Sequence, residues 1–150
     1  MNTHLIIDGL NLFMRHFVVN PTMSESGDHV GGMLGFLKAL SFLINRTNPN
    51  FVYVIWEGGG STKRRALDSS YKNGARPKKL NRYYEDEIPN TVENRNDQIS
   101  SLIKVLTASG IKQVYVNDCE ADDVIGYMAR YKIGNDRSVI VSSDRDLYQL

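Results

Sequence analysis

The sequence predicts an α/β fold with a mainly parallel sheet and helices on both faces. Short β-branched or aromatic runs alternate with longer stretches of 3.6-residue apolar spacing along the 150 residues. No internal repeat or low-complexity tract interrupts that alternation. At 41% apolar and 23% charged residues, the composition is that of a globular domain rather than a disordered segment.

The elements follow in order. Residues 4–8 (HLIID) read as a short buried strand with a polar stop, and Arg15 is expected on the turn after it. Val30, Met33, Leu34, Leu37, Leu40, Ser41 and Ile44 keep helical spacing, so 29–46 should be an amphipathic helix. Asn48-Pro49-Asn50 turns the chain into a second strand, 51–56 (FVYVIW), which Gly58-Gly59-Gly60 breaks. Residues 61–90 are polar, basic and poorly periodic, and are expected to be the most mobile part. Ile99, Leu102, Ile103 and Leu106 mark a helix over 94–109, with Gly110 suited to the position just past its end. A third strand is expected at 112–116, a helix at 120–131 around Val124, Ile125 and Met128, and a fourth strand at 137–141. A last helix begins at Asp144.

Composition excludes several classes. No apolar run approaches the ~18 residues of a membrane helix. One cysteine, Cys119, excludes an internal disulfide framework and a Cys-rich zinc site, and reads as a small buried filler. Three scattered histidines argue against a His-based metal site. The N-terminus lacks a basic n-region and meets Asp8 early, so a soluble, cytoplasmic chain with no membrane partner is expected.

The net charge of +1 hides an asymmetry. Lys63, Arg64, Arg65, Lys72, Arg76, Lys78, Lys79 and Arg82 surround a single acid, Asp68, so this strip carries +7 and the remainder −6. A basic strip on an acidic body suits a polyanion held next to a carboxylate cluster.

The acids have a pattern of their own. In an open parallel sheet the ligand site lies beyond the carboxyl ends of the strands. Asp8 ends the first predicted strand and Glu57 follows the second. Asp118, Glu120, Asp122 and Asp123 follow the third, and Asp144 and Asp146 the fourth. Singly, these acids also suit helix N-termini and turns. Jointly, seven of them (Asp8, Glu57, Glu120, Asp122, Asp123, Asp144, Asp146) would repel one another unless hard divalent cations supply counter-charge. Magnesium or manganese fits an all-oxygen donor set, and two ions roughly 4 Å apart suit an in-line phosphoryl displacement. In a regular helix Asp122 would point about 160° from Glu120. Either Glu120 precedes the helix proper or Asp122 has a different role.

Four segments carry a family resemblance: IIDGLNLFMR (6–15), VIWEGGGSTKRRALDSSYKNGAR (54–76), EADDVIGYMA (120–129) and SSDRDLYQL (142–150). Together, and in this order, they resemble the N-terminal, PIN-like half of the 5′-nuclease family. That family includes flap endonucleases, phage 5′→3′ exonucleases and the 5′-nuclease domain of bacterial DNA polymerase I. The resemblance implies a single N-terminal domain with a basic arch-like insert at about 61–90. Family members continue beyond the position of Leu150 into a further acidic strand end and a helix–three-turn–helix element, so the domain is expected to be C-terminally incomplete, with a separate chain as one source of the rest. Asp8, Glu120, Asp122, Asp144 and Asp146 fall on family metal-site acids, and Asp123 lies within the same motif. Glu57 stands where the family usually has Asp and is one methylene longer. Tyr71, Lys72 and Arg76 resemble the segment at the base of the arch, where the lysine and arginine engage the scissile phosphate; Arg64 resembles an arch-entry arginine. Arg65, Lys78, Lys79 and Arg82 extend this nucleic-acid-binding set by charge. The implied activity is hydrolysis of DNA phosphodiesters near a free 5′ end, a flap or an RNA–DNA primer junction, in replication or repair. Two other readings stay open: a branched-DNA-binding fragment without turnover, and a PIN-class single-strand ribonuclease.

Overall fold

A computed structural model describes residues 1–59 and 92–150. Four strands, β1 (Thr3–Asp8), β2 (Phe51–Trp56), β3 (Lys112–Tyr115) and β4 (Arg137–Val141), form one sheet in the order β3-β2-β1-β4. Every pairing is parallel, with Asp8 opposite Ile55 and Ile7 opposite Val141. The chain steps outward from β1 to β3, then crosses back to place β4 on the other side. The order therefore reverses between β1 and β4, and a crevice at the carboxyl ends of those two strands is where such sheets bind ligands.

Strand alternation divides the core into two layers. Leu5, Ile7, Val54 and Trp56 face α1 (Gly9–Phe17), α2 (Gly31–Thr47) and α3 (Val92–Ala108), meeting Phe13, Phe17, Phe36, Leu40, Leu102 and Leu106. Ile6 and Ile55 face the other way, onto Ala121, Val124 and Ile125 of α4 (Ala121–Tyr127), with Ile133 and the partly buried Cys119 and Met128. Helices thus cover both faces of the sheet. Leu5, Ile6 and Ile7 are fully buried, each contributing about 1.5–3 kcal/mol by area removed from water.

Helix α1 departs from the sequence expectation, and it carries Arg15, which is therefore helical rather than on a turn. Asp8-Gly9 has the composition of a turn, but Asp8 Oδ1 accepts the Asn11 amide at 3.3 Å and caps a helix instead. Leu12, Phe13 and Phe17 are its buried face, and Arg15 in its last turn suits the helix dipole.

Helix α2 is rotated from its expected stripe, burying Phe36 while Ser41 is exposed. The cause is Gly35, where a Cβ would come within 2.6 Å of the His16 side chain, so α1 packs on a glycine face. Val30 gives α2 no side-chain cap; Gln98 of α3 takes the Met33 amide at 3.1 Å in its place. On α3, Leu102 and Leu106 are buried and Ile99 packs against the core as expected, while Ile103 is 38% exposed and Gln98 joins the buried face. Gly110 ends α3 as expected, at φ +72°, with Ile111 N bonded to Leu106 O. Helix α4 stops earlier than expected and widens into a π-helical turn over Met128–Lys132, closed by Ile133 N to Met128 O at 3.0 Å. After β4, a 3-10 segment (Arg145–Gln149) takes the place of the expected helix.

Candidate active site

The acids at the four strand ends are positioned by different devices. Asp8 is the last residue of β1 and is only partly exposed. Its Oδ1 holds the Asn11 amide and its Oδ2 accepts the Ser142 hydroxyl at 3.0 Å. Burial pushes its carboxyl above the ordinary 3.8, the two hydrogen bonds act against that rise, and the charges of Asp122 and Asp144 add to it. Those acids, from different strand ends, therefore share one electrostatic neighbourhood.

Glu120 is buried, 3% exposed, and extended at φ −74° and ψ 151°, immediately before α4. It thus precedes the helix proper, which removes the 160° separation that a regular helix would impose. Carboxylate oxygens of Glu120, Asp122 and Asp123 lie within 4.8 Å of one another, the one group of this kind among the described residues. Asp122 also takes the Asp123 amide at 2.8 Å.

The loop carrying Glu120 is stapled to the end of β2. Gly58 N donates to Cys119 O at 3.0 Å, and Asp118 N donates to Gly58 O at 2.8 Å. Asp118 takes a left-handed φ of 59° in this turn. Glu57, although exposed, accepts the Ala121 amide at 3.4 Å at the start of α4. Asp144 caps the 3-10 segment by taking the Asp146 amide at 2.9 Å. Asp146 is exposed and lines a groove of about 560 Å³ with Asp122, Asp123, Tyr127, Arg130 and Leu147.

The arrangement is one tight group of three acids, with Asp8 and Asp144 beside it at the β1–β4 reversal, Asp146 on the shared groove and Glu57 at the α4 N-terminus. The donor set is all oxygen, and burial with the nearby charges of Asp122 and Asp144 disfavours the bare carboxylate of Asp8, so the residues fit a hard divalent cation. Lys72, Arg76, Arg64, Arg65, Tyr71, Lys78, Lys79 and Arg82 lie outside the described residues. Sequence reasoning gave no role to Asn11, Ser142 and Ser143, which bind the β1 and β4 ends together, nor to the staple at Gly58. Their signal was their place inside the resembling segments.

A parallel α/β sheet with carboxylates at the carboxyl ends of its strands defines the class as an open α/β domain whose acidic edge could hold divalent cations. The chain belongs to the 5′-3′ exonuclease N-terminal, resolvase-like domain family, whose sequence profile matches residues 3–150. A 5′-3′ exonuclease of Aquifex aeolicus (strain VF5) is 32% identical over 152 residues, covering 100% of this chain and 48% of that protein. The flap endonuclease Xni of Shewanella woodyi is 29% identical over 152 residues, covering 100% of this chain and 53% of that protein. The chain thus spans about half the length of the relatives it matches. In fold it is similar to a bacteriophage T5 flap endonuclease solved as a pseudo-enzyme-product complex with DNA and metal ions. That similarity has a TM-score of 0.57 at 18% identity, over 95% of this chain and 49% of that one.

Proposed function

We propose that the chain is a 5′-nuclease domain that hydrolyses DNA phosphodiesters near 5′ ends, as an exonuclease or flap endonuclease, with Mg²⁺ or Mn²⁺ as cofactor. The observation that carries this reading is the juxtaposition of Glu120, Asp122 and Asp123 within 4.8 Å, with the charges of Asp122 and Asp144 acting on Asp8. The names of the relatives and the DNA and metal ions of the T5 complex support it.

Divalent cations, when bound, neutralise the acids, lower the pKa of water and stabilise charge on phosphoryl oxygens. The chain's own residues do the rest. Glu120, Asp122 and Asp123 would hold one ion, and Asp8, Asp144 and Asp146 would complete a second site across the β1–β4 crevice. Glu57 would contribute from the start of α4. Lys72 and Arg76 would orient the scissile phosphate and stabilise its transition-state charge, and the arch-like strip at 61–90 would hold the 5′ strand. The substrates proposed are flaps, free 5′ ends and RNA–DNA primer junctions, with cytoplasmic action in replication or repair.

The test is cleavage of a labelled 5′-flap duplex with and without Mg²⁺, using Asp8→Asn and Asp144→Asn as comparisons. Metal-dependent cleavage that both variants lose supports the reading. Equal cleavage by both variants removes the mechanism, and salt-sensitive flap binding without turnover in Mg²⁺ or Mn²⁺ replaces it with a binding module.

A further inference from the structure

Two side-chain clasps join the end of β1 to the loop after β4. The Ser142 hydroxyl carries one hydrogen, and it donates to Asp8 Oδ2 at 3.0 Å. The same oxygen accepts the Asp144 amide at 3.1 Å. One hydroxyl thus links the carboxylate of one acid to the backbone of the other. Beside it, Asn11 makes a reciprocal pair with Ser143: Asn11 Nδ2 donates to Ser143 Oγ at 2.7 Å, and Ser143 N donates to Asn11 Oδ1 at 3.0 Å.

We infer that Ser142, backed by the Asn11–Ser143 pair, is a positioning residue that presets Asp8 and Asp144 for a divalent cation; the inference rests on the metal-dependent reading above. Like charges drive side chains apart, and Asp144 lies on the loop past β4, beyond the strand pairing, with its own carboxylate on the Asp146 amide. The clasps oppose both tendencies before any cation arrives. They also leave Asp8 usable as a ligand, because each carboxylate oxygen holds one hydrogen bond and has a second lone pair to give. Such partners behind a ligand typically change metal affinity by tenfold to a hundredfold.

The experiment is a calorimetric Mn²⁺ titration of the unaltered chain, Ser142→Ala, Ser142→Thr and Asn11→Ala, each with a thermal melt in chelator. Ser142→Ala is expected to weaken Mn²⁺ binding by about tenfold or more, and Asn11→Ala to weaken it in the same direction. Ser142→Thr, which keeps the hydroxyl, should restore most of the loss. Unchanged Mn²⁺ affinity in a folded Ser142→Ala overturns the inference. If that variant does not fold, Ser142→Thr decides: affinity near that of the unaltered chain supports it, and a folded Ser142→Thr that binds no better than Asn11→Ala overturns it. An unaltered chain that binds no Mn²⁺ ends both this inference and the metal reading. A chain that binds Mn²⁺ but cuts no flap ends only the nuclease reading, and the Mn²⁺ constants still decide the role of Ser142.

Discussion

Gly58→Ala should destabilise the fold although alanine is the smallest possible addition. A Cβ at Gly58 would fall inside the contact distance of Val116 O, and would lie 2.7 Å from Cys119 O. Both are backbone atoms, so no rotamer change relieves the overlap. The 116–119 turn must move, and its two bonds to Gly58, at 3.0 and 2.8 Å, go with it. Each bond is worth about 1 kcal/mol net, and forced overpacking about 1–3 kcal/mol, which sums to about 3–5 kcal/mol. For a domain of this size that corresponds to a fall of about 10 °C in melting temperature. The same movement displaces Glu120, so Mn²⁺ affinity should fall with stability. The comparison is Gly126→Ala in α4, where the nearest atom to the new Cβ is Leu150 Cδ1 at 4.0 Å. There the gain in helix propensity should raise stability by up to about 1 kcal/mol. The assay is a circular-dichroism melt in chelator with a parallel Mn²⁺ titration. A Gly58→Ala chain melting within about 2 °C of the unaltered one would refute the reasoning, since a strain of that size cannot leave so small a shift.

Asp8 binds its proton more readily in the fold than in the unfolded chain, because burial raises its pKa. Its contribution to stability is therefore lost as pH rises above 3.8, so in chelator Asp8→Asn should melt higher than the parent at pH 7 while Mg²⁺-dependent cleavage disappears. Asp136 behaves in the opposite sense: the Asn2 amide, with His4 and the Asn2 side chain, pulls it down from 3.8 to about 2. Its stabilisation is present above pH 3.8 and lost as pH falls to about 2, so melts across that window should slope for the parent and flatten for Asp136→Asn. Asp144→Asn keeps an acceptor for the Asp146 amide and should retain its melting temperature in chelator, whereas Asp144→Ala should lose about 0.5–2 kcal/mol. Both should bind Mn²⁺ poorly.

The sheet was legible because each strand is a short run with β-branched or aromatic residues and a polar residue at its end or within two positions after it; β2 and β4 fall on the expected residues, and β1 and β3 within one. The acids at the strand ends were legible for the same reason, since strand ends and acids are both local features of the chain. What was not legible is set by contacts distant in sequence. Helix α1 was read as a turn because Asp-Gly is a turn pair, and only the burial of Leu12, Phe13 and Phe17 against the sheet decides for a helix. The rotation of α2 follows from His16 meeting Gly35, which no 3.6-residue count on α2 alone contains. Gln98 interrupts an apolar stripe, yet it is buried because it accepts the Met33 amide 65 residues away. Ser142 and Asn11 are 131 positions apart and acquire meaning only when β4 is laid beside β1.

The two readings of the strand-end acids, as helix caps or as metal ligands, turn out to be compatible. Asp8 holds the Asn11 amide of α1, Asp144 holds the Asp146 amide, and Glu57 holds the Ala121 amide of α4. Each of these carboxylates faces the start of a helical segment, where N–H groups without an intrahelical partner leave partial positive charge. That charge offsets part of the repulsion that gathering the acids creates. On the metal reading proposed above, a cation would add to the counter-charge that these backbone N–H groups already supply. The pKa of Asp8 is raised first by burial, and the charges of Asp122 and Asp144 add to the rise. A cation beside Asp8 would therefore offset the cost of its burial as well as the charges of Asp122 and Asp144.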